Sequence, residues 1–246
     1  MTKDNLPKLL RDSIEQNTFD VDIITKKLKL PWLKLGIRFD KPSRSDIYDL
    51  TSSNDWRRHW NYPEADKDSY QVKGWNGNVY FGPADWNRFL NLCNNDTNEH
   101  DSDEDCKCRR MRHNLPYKWY VPTTHYLRRQ VSRFLPDDED INLVNSYSLP
   151  PGGYVFPHRD YASDGFGLAK IYVALKWGKG NTFGMYGCGE MPINEGDVFL
   201  LNNYTLPHWV YNGSNQDRVV IDISANLHSK TLSQEIIKAF KKCFTS

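Results

Sequence analysis

Residues 194–224 read NEGDVFLLNNYTLPHWVYNGSNQDRVVIDIS. Three runs rich in β-branched, aromatic and aliphatic residues, DVFLL, HWVYN and RVVIDIS, alternate here with two clusters of turn formers, NNYTLP and NGSNQ. Short apolar runs bounded by Asn, Gly, Pro and Ser are strand signals. The rhythm continues upstream. INLVNSYSL, YVFPH, AKIYVALKW and TFGMYG start at residues 141, 154, 169 and 182, with PPGG, YASDGFG and GKGN between them. The segment CGEMPINEG then leads into the quoted stretch. Many short strands with no helix between them indicate an antiparallel sandwich or barrel.

Outside this region the period changes. LPKLLRDSIEQ places Leu6, Leu9, Leu10 and Ile14 at helical spacing, and residues 20–28 and 86–93 also read as short helices. TTHYLRRQVSRFL, residues 123–135, repeats the spacing through Tyr126, Leu127, Val131, Phe134 and Leu135. Residues 40–80 read as short strands and loops. At the end of the chain Thr231 is an expected N-cap with Gln234 three residues on, and Ile236, Ile237 and Phe240 share one apolar face. Residues 94–105, NNDTNEHDSDED, are polar and acidic, and 106–113, CKCRRMRH, are basic. Such a segment buries too little apolar area to offset its ordering entropy, so a flexible loop is expected near 94–113. The expected organisation is one domain over 1–246. It has a mostly helical or irregular part over 1–135, a β core over 136–228 and a C-terminal helix over 229–246.

The composition narrows the function. The 246 residues carry a net charge of +1 and are 39% hydrophobic, enough for a packed core and too balanced for a polyanion binder, so no nucleic-acid partner is expected. No apolar stretch approaches a membrane span, and MTKDNLPKLL lacks the apolar centre of a signal peptide. The cysteines at 93, 106, 108, 188 and 243 are odd in number and irregular in spacing, which favours reduced thiols and a cytoplasmic protein. Cys106 and Cys108 have no second pair to complete a zinc site.

The chemistry concentrates in PPGGYVFPHRDY, residues 150–161. In a strand, residues i and i+2 face one side, so His158 and Asp160 are expected to aim at one point. An imidazole and a carboxylate there suit a divalent transition metal. The His-x-Asp pair alone is a weak signal, and its company strengthens it. His208 heads HWVYN fifty residues later, and Arg218 heads RVVIDIS across the NGSN turn. If these two runs form a hairpin, Arg218 lies beside His208. Two His and one carboxylate make the facial set of non-haem Fe(II) oxygenases, and a buried Arg offers a bidentate fork for a carboxylate. An inward Arg218 also turns Asp222 inward, where it needs a cationic partner.

The pieces NSYSLPPGGYVFPHRD, AKIYVALKW and NEGDVFLLNNYTLPHWVYNGSNQDRVVIDIS resemble, in order, the aspartyl/asparaginyl β-hydroxylase family of Fe(II)- and 2-oxoglutarate-dependent dioxygenases. The resemblance covers about a third of the chain, residues 141–224. It implies an α+β, mainly β fold: a double-stranded β-helix, or jelly-roll/cupin-like barrel, with N- and C-terminal helices packed on it. His158, Asp160 and His208 would then be catalytic iron ligands, and Arg218 would hold the distal carboxylate of 2-oxoglutarate. Some members have glycine where Asp160 stands. Lys170 and Tyr172 align with an arginine facing the substrate and a histidine touching the cosubstrate, and neither identity is kept. Asn212 and Asp222 also match. The implied reaction consumes O2 and 2-oxoglutarate, releases succinate and CO2, and hydroxylates an amino acid, free or peptidyl.

Two rival readings stand beside it. One is a metal-dependent cupin-type enzyme that does not use 2-oxoglutarate, and the other is a non-catalytic jelly-roll binding module whose contacts come from tryptophans of the N-terminal part. Trp56, His59 and Trp60 read better as a core-anchoring cluster than as a stacking wall. Arg109, Arg110 and Arg112 read as a charge-compensated loop. His100, His113, His125 and His228 have no partners at ligand spacing.

Overall fold

The structure, a computed structural model, describes residues 12, 16, 20–27, 30–51, 72–73, 76–84, 116–119, 125–159, 168–203 and 206–245. Of the expected first helix only residues 12 and 16 are described, and both are helical. The expected helix 86–93, the charged segment 94–113 with Cys106 and Cys108, and the Trp56, His59 and Trp60 cluster lie outside the described residues.

The strands are β1 (Trp32–Arg38), β2 (Val72–Lys73), β3 (Asn76–Pro83), β4 (Tyr117–Trp119), β5 (Ile141–Leu149), β6 (Tyr154–His158), β7 (Leu168–Lys176), β8 (Asn181–Met185), β9 (Gly189–Glu190), β10 (Asp197–Leu201), β11 (His208–Asn212) and β12 (Arg218–Asn226). Among the described residues the α-helices with defined bounds are α1 (Arg44–Thr51), α2 (His125–Ser132) and α3 (Lys230–Thr245), and Ile23–Lys27, within the expected helix 20–28, is π-helical. Among the described residues the strands form two antiparallel sheets, ordered β1-β10-β7-β12-β5-β3-β4 and β2-β6-β11-β8-β9. From β5 to β12 the chain changes sheet at every connection except the β8–β9 hairpin. This alternation is the double-stranded β-helix, an α+β jelly-roll fold.

The larger sheet is buried on both faces, which explains why AKIYVALKW and RVVIDIS lack the clean alternation of a half-exposed strand. On β12, Val219, Ile221 and Ile223 face a helical layer, whereas Val220 faces the barrel interior. On β7, Ile171 and Val173 face the helices and Tyr172 and Ala174 the interior. The helical layer is supplied by Leu50 of α1, Leu127 and Val131 of α2, and Leu232, Ile236 and Phe240 of α3. Helix α3 starts at Lys230, so Thr231 lies within its first turn and does not cap it.

The part before residue 136 contributes strands as well as helices. WLKLGIR, in β1, buries Leu33 and Leu35 and exposes Lys34 and Gly36, a period of two. It extends the larger sheet beyond β10, while β3 and β4 extend the opposite edge. Residues 44–51, expected as loop or strand, are helical because Ser43 and Asp46 form a reciprocal cap. The Ser43 N–H and hydroxyl donate to Asp46 Oδ2 at 2.8 and 2.6 Å, and Asp46 N donates to Ser43 Oγ at 3.1 Å. Gln130 of α2 ties this region to β1: its Nε2 donates to Asp40 Oδ2 (2.9 Å) and its Oε1 accepts from Asp40 N (3.0 Å).

The expected hairpin between HWVYN and RVVIDIS does not form. Strand β11 pairs with β6 and β8 in the smaller sheet, and β12 pairs with β5 and β7 in the larger. Asn212 directs the crossing. Its fully buried side chain donates to Leu149 O (2.6 Å) and Gln216 O (2.9 Å) and accepts from Ser214 N (3.0 Å) and Ser214 Oγ (2.7 Å). Replacing Asn212 with alanine strands several of these partners, so a loss on the order of 3 kcal/mol or more is expected in urea unfolding. Gly196 serves the crossing from β9 to β10: its φ is +83°, and a Cβ there would lie 2.6 Å from Phe39 O.

Candidate metal and anion site

The barrel interior carries polar side chains from both sheets. His158, the last residue of β6, stands directly opposite His208, the first of β11. A one-residue bulge makes this possible. Val155 pairs with Val210 and His158 with His208, so β6 spends three residues where β11 spends two. Val155 packs against the interior, and strict alternation would turn His158 the other way. The extra residue brings His158 to the same face as His208, where it remains exposed, and Pro157, which has no N–H to pair, suits an irregular position in the ladder.

The two imidazole centroids are 4.2 Å apart, with the rings inclined at 50°. Two imidazoles bound at about 2.1 Å in adjacent positions on one metal have centroids about 4.5 Å apart, so the spacing fits a shared ion. The carbonyl of Phe156 lies 2.8 Å from His158 Nδ1. With Nδ1–H donating to it, Nε2 carries the lone pair needed for a metal. His208 is nearly buried and lies flat against Phe183, centroids 5.4 Å apart and planes within 7°. Asp160 lies outside the described residues, and β6 ends at His158, so strand alternation does not extend to it. Among the described residues no group of three or more His, Cys, Asp and Glu side chains is clustered for a metal.

Arg218 heads β12 opposite Leu149 and is only 4% exposed. Its Nη2 donates to the hydroxyl of Tyr172, and its guanidinium lies over the rings of Trp177 (5.1 Å) and Tyr172 (5.8 Å). Its Nε has no hydrogen-bond partner among the described residues, and no described carboxylate forms an ion pair with it. A buried cation with unspent donors and no counter-ion is a site for an anion. Tyr172 meets Phe183 edge-on at 5.0 Å, so a continuous line of contacts runs from Arg218 through Tyr172 and Phe183 to His208. Arg218 therefore reaches the histidines across the barrel interior and not along a hairpin.

Lys170 does not join Arg218. Its Nζ pairs with Asp222 Oδ2 at 2.5 Å, with both side chains largely buried. The cationic partner that an inward Asp222 requires is thus Lys170, two residues from Tyr172 on the same face of β7. Asn145 on β5 is the direct cross-strand neighbour of Asp222. Sequence reading missed it because Asn145 is one of four Asn and Ser residues in INLVNSYSL, with no motif to single it out.

Burial pushes the Tyr172 phenol up to about 12, although the adjacent Arg218 cation pulls it down. The phenol therefore stays neutral, and able to donate, throughout the physiological range. Between about pH 10 and 12 the unfolded chain ionises this group and the folded chain does not. Stability present below pH 10 is accordingly lost as the pH rises through that window, by about 2–3 kcal/mol. Tyr172→Phe is expected to flatten the wild-type decline there by that amount, measured by urea unfolding at each pH.

The chain matches no protein-family model and no curated protein sequence. It is similar in part to several solved structures. A predicted oxalate decarboxylase from Thermotoga maritima is 26% identical over 36% of this chain and 69% of that one, with a TM-score of 0.28. An oxidoreductase of the 2OG-Fe(II) oxygenase family from Burkholderia pseudomallei is 12% identical over 45% and 61%, with a TM-score of 0.35. A viral collagen prolyl hydroxylase from Paramecium Bursaria Chlorella virus-1, in its 2OG complex, is 16% identical over 44% and 77%, with a TM-score of 0.32. Each overlap covers less than half of this chain and superposes loosely, so the fold stands on the strand order itself. No described helix is long and apolar enough to cross a membrane.

Proposed function

We propose that the protein is an Fe(II)- and 2-oxoglutarate-dependent dioxygenase that hydroxylates an amino acid, free or peptidyl. The observation that carries this reading is Arg218: a buried guanidinium without a carboxylate partner among the described residues, joined by contacts to the buried His208, which faces the exposed His158. Such a pair of features suits a cosubstrate that binds a metal at one end and presents a carboxylate at the other.

In this reading His158, His208 and Asp160 hold the iron. Iron with 2-oxoglutarate supplies the oxidative chemistry, in which O2 and the cosubstrate yield succinate and CO2 while one oxygen atom enters a C–H bond of the substrate. The chain's own residues supply position and environment. The Phe156 carbonyl fixes the His158 tautomer, and Phe183 holds the plane of the His208 ring. Arg218 grips the distal carboxylate, and the neutral Tyr172 hydroxyl, which already accepts from Arg218, donates its own proton to the same group. Phe183, Val210, Leu149 and Val220 line the interior between the two ends and exclude water, which strengthens those contacts.

The test is succinate formation from 2-oxoglutarate by the purified protein with Fe(II) and O2, across a panel of amino acids and peptides. Succinate that requires both Fe(II) and 2-oxoglutarate, and rises with a particular amino acid or peptide, is the expected result. Metal binding without 2-oxoglutarate turnover would overturn the reading in favour of another cupin-type enzyme. Binding of neither would leave a non-catalytic barrel.

A further inference from the structure

The Lys170–Asp222 pair has a neighbour that gives it a direction. Asp222 stands opposite Asn145 on β5 and opposite Tyr172 on β7. Asn145 is 5% exposed; its Nδ2 donates to the Tyr147 hydroxyl at 3.1 Å, and its Oδ1 has no hydrogen-bond partner among the described residues. A buried acceptor left unspent beside a carboxylate calls for a donor, and a cationic donor best. Lys170, 2.5 Å from Asp222, supplies the opposite charge on the neighbouring strand. The Lys170 and Asp222 side chains keep 14% and 11% of their surface exposed, so neither is fully sealed off.

We propose that Asp222, Asn145 and Lys170 form a head-group subsite for a free α-amino acid, the ammonium going to Asp222 and Asn145 Oδ1 and the carboxylate to Lys170. The inference rests on the dioxygenase reading for its consequence, which is that the substrate is a free amino acid and not a peptidyl residue. Its physical basis is an exchange of partners. A zwitterion entering between Lys170 and Asp222 gives each of the two charges a new opposite partner, so neither is left alone in a low-dielectric interior. It also adds a bond to Asn145 Oδ1, which lacks one now. A ligand with a blocked amine cannot replace the charge that Asp222 loses, and a dianion leaves Asp222 facing a like charge.

Calorimetric titration of the full-length protein with the twenty free amino acids tests this without 2-oxoglutarate or turnover. The best binder is then compared with its N-acetyl and amide derivatives. At least one free amino acid should bind, and each blocked form should bind about tenfold more weakly or worse, the value of one charge-assisted contact. Asp222→Asn should weaken the free amino acid by the same factor and should not weaken the N-acetyl derivative, whose missing charge then costs nothing. The double variant Lys170→Met/Asp222→Leu replaces the pair with apolar groups of similar size, a change that buried ion pairs tolerate, and should lose the binding while remaining folded. The proposal is overturned if no free amino acid binds, if the blocked forms bind as tightly, or if the double variant still binds. A failed dioxygenase reading shows separately, as an absence of 2-oxoglutarate-dependent succinate in a protein that still binds the amino acid.

Discussion

His208→Ala is expected to lower the affinity for Fe(II) by more than ~100-fold and to abolish succinate formation. Removing a group that merely orients a metal ligand weakens binding about 10–100-fold, and His208 is itself a donor in this account. The fold should survive the change. His208 opens β11 and packs on Phe183 and His158, so its loss removes ring contacts at the end of the strand and leaves the register of β11 with β8 intact. Equilibrium dialysis with Fe(II) under anaerobic conditions reads the effect, and the urea midpoint serves as the control for folding. His158→Ala should behave alike in metal binding. Equal Fe(II) affinity in His208→Ala and wild type would remove His208 from the metal site.

Much of this arrangement is legible in the sequence, and the reasons differ from residue to residue. The strand series over 141–226 is readable because turn residues punctuate it, and Arg218 and Asp222 share a side of one strand by simple alternation. His158 is legible as a chemical group but not as a direction. Its place on the same face as His208 depends on a bulge at Phe156–Pro157, and only the pairing partner reveals an extra residue in a strand. The hairpin expected between HWVYN and RVVIDIS fails for a related reason: NGSNQ has the composition of a tight turn, yet the Asn212 side chain binds Leu149 O in the other sheet and carries the chain across. Some residues that match the hydroxylase pattern hold the frame. Asp197 accepts from Asn194 N and Nδ2 at 3.2 Å each and pairs with Lys34 at 2.6 Å, far from any chemistry of its own. Strand β1 hid among helical segments because its alternation is short, and Asn145 gave no signal because nothing in INLVNSYSL sets it apart from Asn142, Ser146 and Ser148.

Arg218→Ala is expected to raise the apparent KM for 2-oxoglutarate by about 100-fold or more while Fe(II) affinity stays at the wild-type value. Two charge-assisted hydrogen bonds in a dry site are together worth about 3 kcal/mol or more, which sets that scale. The split between cosubstrate and metal is the informative part, because general damage to the barrel would weaken both. Stability offers a second signature. The substitution leaves the Tyr172 hydroxyl without its donor and opens a cavity beside Trp177, but it also removes a buried cation that has no carboxylate partner among the described residues. These effects oppose one another, so the cosubstrate-free protein should lose far less stability than a broken buried ion pair costs. Lys170→Ala provides the contrast, since it breaks a largely buried ion pair by removing one partner and should cost about 3–5 kcal/mol in urea unfolding.

The most direct measurement is an anaerobic absorption titration of the Fe(II)-loaded protein with 2-oxoglutarate. The account predicts a weak visible charge-transfer band that saturates with 2-oxoglutarate, needs far more of it in Arg218→Ala, and is absent from His158→Ala and His208→Ala. A wild-type protein that binds Fe(II) yet develops no band, or a band that persists when both histidines are replaced, would contradict it.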